Sequence, residues 1–261
     1  MIAAVEERVV DQSVLKLLRA GVLEDGQVRR EVTGTPQGGP LSPLLCNVYL
    51  HRLDRMWDVR EHGVLVRYCD DLVVMCSTRR QAEDALARLK SVLAGLGLEV
   101  KATKTRIVHL TEGKNAEGFD FLGFHHRWVR ARGTVSPRRV CFLARWPSRK
   151  ATQHARDQIR QLTERKRLWL PDAWVVQELN QFLRGWGGYF QYGNSAEVFD
   201  AISYYALQRL ATFVGKRHQR SRRWGMRKVT CASPHNLGLI SLYGTVVAPR
   251  PFRPWKATAD R

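Results

Sequence analysis

The chain is 261 residues long and carries 43 Lys and Arg against 24 Asp and Glu, a formal net charge of +19 with a pI near 10.4, which favours a polyanionic partner, nucleic acid first and an anionic membrane second. With 44% hydrophobic and 26% charged residues it is globular rather than disordered, and long enough for one or two domains with a real core. Residues 1–12 hold early acids and no apolar core, so they are no signal peptide; the charge-free runs 32–50 and 229–249 are broken by Pro and Gly, so neither is a convincing membrane span; and five cysteines without a CxxC exclude a disulfide framework or Cys-rich zinc site and point to a reducing cytoplasm.

In chain order, Val9–Leu23 has helical spacing and should stop at the turn signal Glu24-Asp25-Gly26. Gly34–Pro43 holds three Gly and three Pro and reads as a loop leading into a helix at Leu44–Met56. After Gly63, the runs Val64–Tyr68 and Leu72–Cys76 flank Cys69-Asp70-Asp71 and predict a hairpin with an acidic tip, apolar enough to be a central, buried one. Ala82, Ala85, Leu86, Leu89, Val92, Leu93 and Leu96 mark an amphipathic helix ended by Gly97. Short strands are expected near Leu98–Val100, Arg106–Leu110 and Phe119–Val129, then a basic, Pro-containing join at Arg130–Lys150. Beyond it the period is helical, through Leu179, Phe182, Leu183, Trp186 and Phe190 and through Phe199, Ile202, Ala206, Leu210 and Phe213; no clear period follows Ser233.

Charge divides along the same line. Residues 1–110 hold 16 basic and 14 acidic side chains, residues 111–261 hold 27 and 10. Lys216, Arg217, Arg220, Arg222, Arg223, Arg227 and Lys228 fall in one stretch with no acid inside it, which phosphate neutralisation explains better than a solvated face does. Trp224, interleaved there, either stacks on a base or anchors the helix.

Two adjacent aspartates at a turn are usually just solvated. At the rim of a buried sheet they repel each other unless a cation sits between them, and hard oxygen ligands suit Mg²⁺ or Mn²⁺. Two such ions roughly 4 Å apart would stabilise the attacking and leaving oxygens of a phosphoryl transfer.

The motifs around this pair extend the reading. Tyr68-Cys69-Asp70-Asp71 resembles the YxDD box of reverse transcriptases. Gly34-Thr35-Pro36-Gln37-Gly38-Gly39-Pro40-Leu41-Ser42-Pro43-Leu44-Leu45 resembles the GxPQGxxxSPxL segment of the group II intron reverse transcriptase/maturase family. Leu96-Gly97-Leu98 with Lys104-Thr105, then Gly118–Phe124 (GFDFLGF), then Leu183–Phe190 (LRGWGGYF) are similar to later motifs of that family, in its order.

The resemblance implies an α+β fold, in which a partial reverse-transcriptase palm of antiparallel sheet and helices precedes an α-helical thumb and maturase domain. The implied boundaries are a palm fragment at 1–125, a basic linker at 126–149, a helical RNA-binding domain at 150–230 and a tail at 231–261. It implies metal ligation by Asp70 and Asp71, with Mg²⁺ or Mn²⁺ as cofactor. Pro36, Gln37, Gly38 and Tyr68 would lie beside the incoming nucleotide and template, although the loop could also simply cap the helix at Ser42-Pro43. Lys104 would neutralise or protonate departing pyrophosphate, or be a solvated lysine. Phe121, Leu122 and Gly123 would grip the primer, core packing being the other reading of the two apolar residues. Arg184 joins the cations of the 216–228 stretch and Trp224 as the RNA-binding set. The implied partners are group II intron RNA, a template–primer duplex and a dNTP.

In the family the first catalytic aspartate lies in an earlier palm strand, before a helix similar to Val9–Leu23. The chain is therefore expected to be the C-terminal portion of a longer enzyme that needs a fingers and palm segment. Two functions remain open: RNA-templated DNA synthesis with intron maturation, or a non-catalytic RNA-binding splicing cofactor or decayed remnant.

Overall fold

The computed structural model describes residues 6, 13, 16, 22–24, 27–29, 42–111, 117–130, 141–232 and 235–247. The chain divides into two compact units, residues 1–107 and 108–261.

In the first unit, Glu6, Ser13 and Lys16 are helical, but the expected helix does not run through Leu23. Strand β1 (Val22–Glu24) instead pairs antiparallel with β2 (Gln27–Arg29), Glu24 opposite Gln27. The Asp25-Gly26 dipeptide between them is the commonest signal for a two-residue hairpin, and it outweighs the helical spacing of Val22 and Leu23.

Helix α1 (Ser42–Met56) buries Leu45, Leu50 and Leu53. The short helix α2 (Val59–His62) is capped by Asp58, which accepts from the Arg60 amide at 2.8 Å. Gly63 then turns into the hairpin with φ 82, and a Cβ there would lie 2.4 Å from the Met75 carbonyl oxygen, so both conformation and space demand glycine. Strands β3 (Val64–Tyr68) and β4 (Asp71–Met75) pair antiparallel, and α3 (Arg79–Gly95) follows. Thr78 opens α3 by accepting from the Gln81 amide, and the Gln81 side chain reaches back to the Ser77 amide. Ala85, Leu89, Val92 and Leu93 of α3 pack with Leu50, Leu53 and Trp57, and Leu65, Leu72 and Val74 of the hairpin close this core from one side.

The strands expected at Leu98–Val100 and Arg106–Leu110 do not form; the only regular piece there is a 3₁₀ turn at Ala102–Lys104. Leu98 and Ile107 are exposed, so these apolar residues pack too little to hold a strand.

The second unit opens with a three-stranded antiparallel sheet, β5 (Gly118–Phe121), β6 (Phe124–Arg130) and β7 (Cys141–Pro147), in that order. The expected single strand Phe119–Val129 is thus a tight hairpin broken at Leu122-Gly123, both at positive φ. The stretch 126–149, expected as a basic linker, instead carries most of β6 and all of β7, with Arg145 opposite His126. Helix α4 (Arg149–Leu162) starts at the Ser148 cap, and α5 (Asp172–Phe190), α6 (Ala196–Arg217) and α7 (Arg222–Thr230) follow. The two helical stripes read from the sequence are the core: Leu179, Leu183, Trp186 and Phe190 meet Phe199, Ile202, Ala206, Leu210 and Phe213.

The aperiodic segment after residue 233 also joins this core. Leu239 and Leu242 are buried, and the Asn180 side chain donates to the Gly238 carbonyl and accepts from the Ile240 amide, at 2.8 and 2.9 Å. The Leu242 amide donates to the Ser203 hydroxyl at 2.9 Å, so burial here rests on an irregular backbone satisfied by side chains, which no periodic pattern announces.

Two glycines of the second unit make opposite predictions. A Cβ on Gly225 of α7 would lie 1.9 Å from the Ala211 carbonyl oxygen of α6, so Gly225→Ala should lower stability by at least about 1–3 kcal/mol. Gly185 sits inside α5 with nothing within 4 Å of its would-be Cβ, so Gly185→Ala should raise stability by about 0.5–1 kcal/mol. Urea unfolding monitored by far-UV circular dichroism reads both; equal midpoints would contradict this packing.

Candidate functional site

The acidic tip forms as a two-residue turn. Tyr68 pairs with Asp71 across the hairpin, leaving Cys69 and Asp70 as the connection. Cys69 takes φ 52, a left-handed conformation that costs a non-glycine residue on the order of 1 kcal/mol.

The cost is offset by one side chain. Arg67 faces α1 from β3, and its side chain is 11% exposed. Its guanidinium donates to both carboxylate oxygens of Asp54 at 2.9 and 2.6 Å, to Asn47 Oδ1 at 2.8 Å and to the Cys69 carbonyl at 2.9 Å. The hydrogen bond to Asp54 raises the Arg67 pKa, so the cation is held charged. The turn is therefore fixed by a charged, bidentate anchor on α1 rather than by its own residues.

The register puts Tyr68, Val66, Val64, Asp71, Val73 and Met75 on one face and Leu65, Arg67, Leu72 and Val74 on the other. Only the second face packs on the core. Val64, Val66, Tyr68 and Met75 are exposed, and among the described residues no third strand joins the pair, so the hairpin is not the buried central pair expected. Its apolar residues serve two faces, and the described helices of this unit cover one.

Asp70 and Asp71 are both exposed, and neither has an ion-pair partner among the described residues. Burial, and after it the negative charge of Asp70, pushes the Cys46 thiol of α1 up, which keeps it protonated beside the turn. As a donor set, two adjacent carboxylates suit a hard divalent cation. Among the described residues, however, no third His, Cys, Asp or Glu joins them.

Pro36, Gln37 and Gly38 lie outside the described residues. Lys104 ends the 3₁₀ turn, exposed, rather than following a strand as expected, and no described hydrogen bond or ion pair joins it to the hairpin. Phe121, Leu122 and Gly123 form the β5–β6 turn, and the Tyr189 hydroxyl donates to the Leu122 carbonyl at 2.9 Å. Gly123 backs onto the Phe190 ring, so this turn is seated on the C-terminal end of α5.

Arg184 is exposed on α5, and Lys216, Arg220, Arg222, Arg223, Arg227 and Lys228 are exposed around the α6–α7 junction. Arg217 differs. It and His218 pair with Asp172 at the start of α5, at 3.7 and 3.9 Å, so the stretch does have an acid partner, supplied from 45 residues earlier. Trp224 is half-buried against the core and faces the His218 ring at 5.4 Å, which makes it an anchor of α7.

Arg67, Asn47 and Asp54 are the residues that motif reading passed over. The sequence signal was an arginine at an inward position of an alternating strand, which requires a buried acceptor. Arg67→Lys, which cannot make the bidentate pair, should speed amide exchange of Tyr68 and Asp71, the pair that closes the turn, by about five- to tenfold, the equivalent of roughly 1 kcal/mol. Hydrogen exchange read by mass spectrometry checks this, and unchanged protection would mean the turn holds itself.

Comparison with known proteins covers both units. Residues 4–126 match the family model described as reverse transcriptase (RNA-dependent DNA polymerase), and residues 152–230 match the group II intron, maturase-specific domain. Protein YkfC of Escherichia coli (strain K12) is 31% identical over 193 residues, 59% of this chain and 48% of the relative. The group II intron-encoded protein LtrA of Lactococcus lactis subsp. cremoris is 49% identical over 51 residues, 20% of this chain and 8% of the relative. A 91 kDa protein in the cob intron of Schizosaccharomyces pombe is 23% identical over 281 residues, 80% of this chain and 34% of the relative. The chain thus spans about half the length of the first relative and less of the others. The α+β hairpin unit with its YCDD turn and the helical unit that follows match the two models in the order the motifs require, and the chain belongs to the group II intron reverse transcriptase and maturase family.

Proposed function

We propose that the chain is the late palm, thumb and maturase portion of an RNA-directed DNA polymerase that also binds its group II intron RNA. The observation that carries the polymerase reading is the turn that presents Asp70 and Asp71 exposed at the end of the hairpin and is anchored by Arg67 from below. Reverse transcriptases use divalent metal ions. In this reading Asp70 and Asp71 would hold Mg²⁺ or Mn²⁺, which when bound supplies the positive charge that nucleotidyl transfer needs. Tyr68 and the open apolar face beside Asp71 would lie against the template–primer duplex, Pro36, Gln37 and Gly38 beside the dNTP, and Phe121, Leu122 and Gly123 against the primer. Lys104 would neutralise departing pyrophosphate.

The two carboxylates approach a metal from one turn, and two-metal transfer needs ligands that bracket both ions. The reading therefore needs a third carboxylate from another strand, which the described residues do not supply and which in the family belongs to an earlier palm segment. Purified 1–261 alone should give no primer extension on poly(rA)/oligo(dT) with Mg²⁺ or Mn²⁺. Supplying the upstream segment, in trans or fused, should restore extension, and Asp70→Ala should abolish it again. Robust extension by 1–261 alone would show that the metal site is elsewhere or has a substitute ligand.

The RNA-binding role rests on the exposed cations of the second unit. With six to ten phosphate contacts, affinity for RNA should fall roughly 10³–10⁵-fold between about 50 and 200 mM salt. Arg217 is left out of the test because it pairs with Asp172. Changing Arg220, Arg222, Arg223 and Arg227 together to Ala should make the log–log salt slope shallower by about 3. A filter-binding titration with an unchanged slope would reduce the patch to a solvated surface, and with it the maturase reading of this chain.

A further inference from the structure

Two of the largest apolar side chains of the second unit face outward. Trp169 is 77% exposed and Trp174 is 61% exposed. Neither exposure follows from a lack of core. Leu168 and Leu170, on either side of Trp169, both pack against the buried cluster, and Val175 and Val176, directly after Trp174, are buried in it. The backbone thus turns the smaller neighbours in and the tryptophans out.

The segment that carries them is held rigidly. Arg165–Arg167 form a 3₁₀ turn, the Leu170 amide donates to the Arg167 carbonyl at 2.9 Å, and the Arg167 side chain is ion-paired with Glu178 of α5. Trp174 rides on the first turn of α5, whose Asp172 carboxylate lies 3.7 Å from the Arg217 guanidinium at the end of α6. That contact brings the end of α6 to the same helix start, and Lys216, the residue before Arg217, is exposed. Glu178 and Asp172 both face cations already. Arg165 and Lys166, exposed just before Trp169, therefore outnumber Glu164, the other acid of this segment.

Exposed indole faces in a segment with exposed cations suit one chemistry above others. Bases of a single strand stack on aromatic faces while cations follow the backbone, whereas in a duplex the base faces are covered. We infer that Trp169 and Trp174, with Arg165, Lys166 and Lys216, form a binding site for unpaired RNA bases. The inference rests on the RNA-binding reading above and deepens it, since the cations of α7 need only phosphates and these tryptophans need bases free of pairing.

The test compares an oligo(rU) single strand with a blunt RNA duplex of equal length, both by fluorescence anisotropy on the full chain. Trp169→Ala with Trp174→Ala should weaken strand binding by roughly 5- to 100-fold per tryptophan and leave duplex affinity and the salt slope unchanged. Trp169→Phe with Trp174→Phe, which keeps an aromatic face, should retain most of the strand affinity. Both side chains are exposed, so folding is expected to survive, and an unchanged far-UV spectrum checks it. No loss in the double alanine variant, or an equal loss on both RNAs, overturns the inference and leaves the phosphate-binding reading standing. A wild-type chain that binds neither RNA removes both. A wild-type dimer in sedimentation that the alanine pair dissolves, with RNA affinity unmoved, would assign the tryptophans to self-association instead.

Discussion

The Arg67 guanidinium is the point on which the acidic site turns. It links Asp54 and Asn47 of α1 to the Cys69 carbonyl, and so couples a helix, a strand and a strained turn through one charged group. A carbonyl that accepts from a guanidinium is fixed in direction, and its neighbours Asp70 and Asp71 inherit that direction. Without such an anchor, a left-handed cysteine between two short strands would relax, because a two-stranded ribbon is marginal by itself. The core beneath supplies the rest of the rigidity: Leu65, Leu72 and Val74 seat the ribbon on α1 and α3, while Val64, Val66, Tyr68 and Met75 on its other face are exposed.

The second unit solves a different problem. It carries most of the chain's excess positive charge, which repels itself, on a frame whose core is continuous and apolar. The cations stand on helix ends and outer faces, while Asp172 and Glu178 bind selected ones to the frame. Ion pairing thus sorts the arginines into two kinds. Arg167 and Arg217 position helices, and Arg220, Arg222 and Arg223 remain available to a polyanion. A count of charges along the sequence cannot make that distinction, because the acids that decide it lie in other helices.

Much of the frame was legible. The helical stripes of α3, α5 and α6 face the cores, buried at most of the residues their spacing named and half-buried at Ala82, Leu86, Leu96 and Phe182, since a helix that must bury one face has to repeat its apolar residues at that period. The YCDD hairpin forms between the two apolar runs, one residue tighter than read, because Asp71 leaves the expected tip and pairs with Tyr68. What failed depends on pairing: β1 has three residues and β7 lies in a stretch read as linker, and each exists through a partner strand, as does the turn inside Gly118–Arg130. The absent strands near Leu98 and Arg106 fail for the converse reason, having β-type residues and no pairing among the described residues.

The residues at the site divide along the same physical line. The sequence by itself determined the family, the order of the motifs, the place of Asp70 and Asp71 at a turn, and the helical cores, because each is written in nearest neighbours or in a fixed period. Only the tertiary structure decided that Arg67 holds the turn, that Arg217 is an ion-pair partner while Arg220 is exposed, that Leu239 and Leu242 complete a core, and that Trp169 and Trp174 face outward. Those outcomes depend on groups that meet across tens of residues, where sequence separation carries no information about distance and the energies of burial and pairing choose the neighbours.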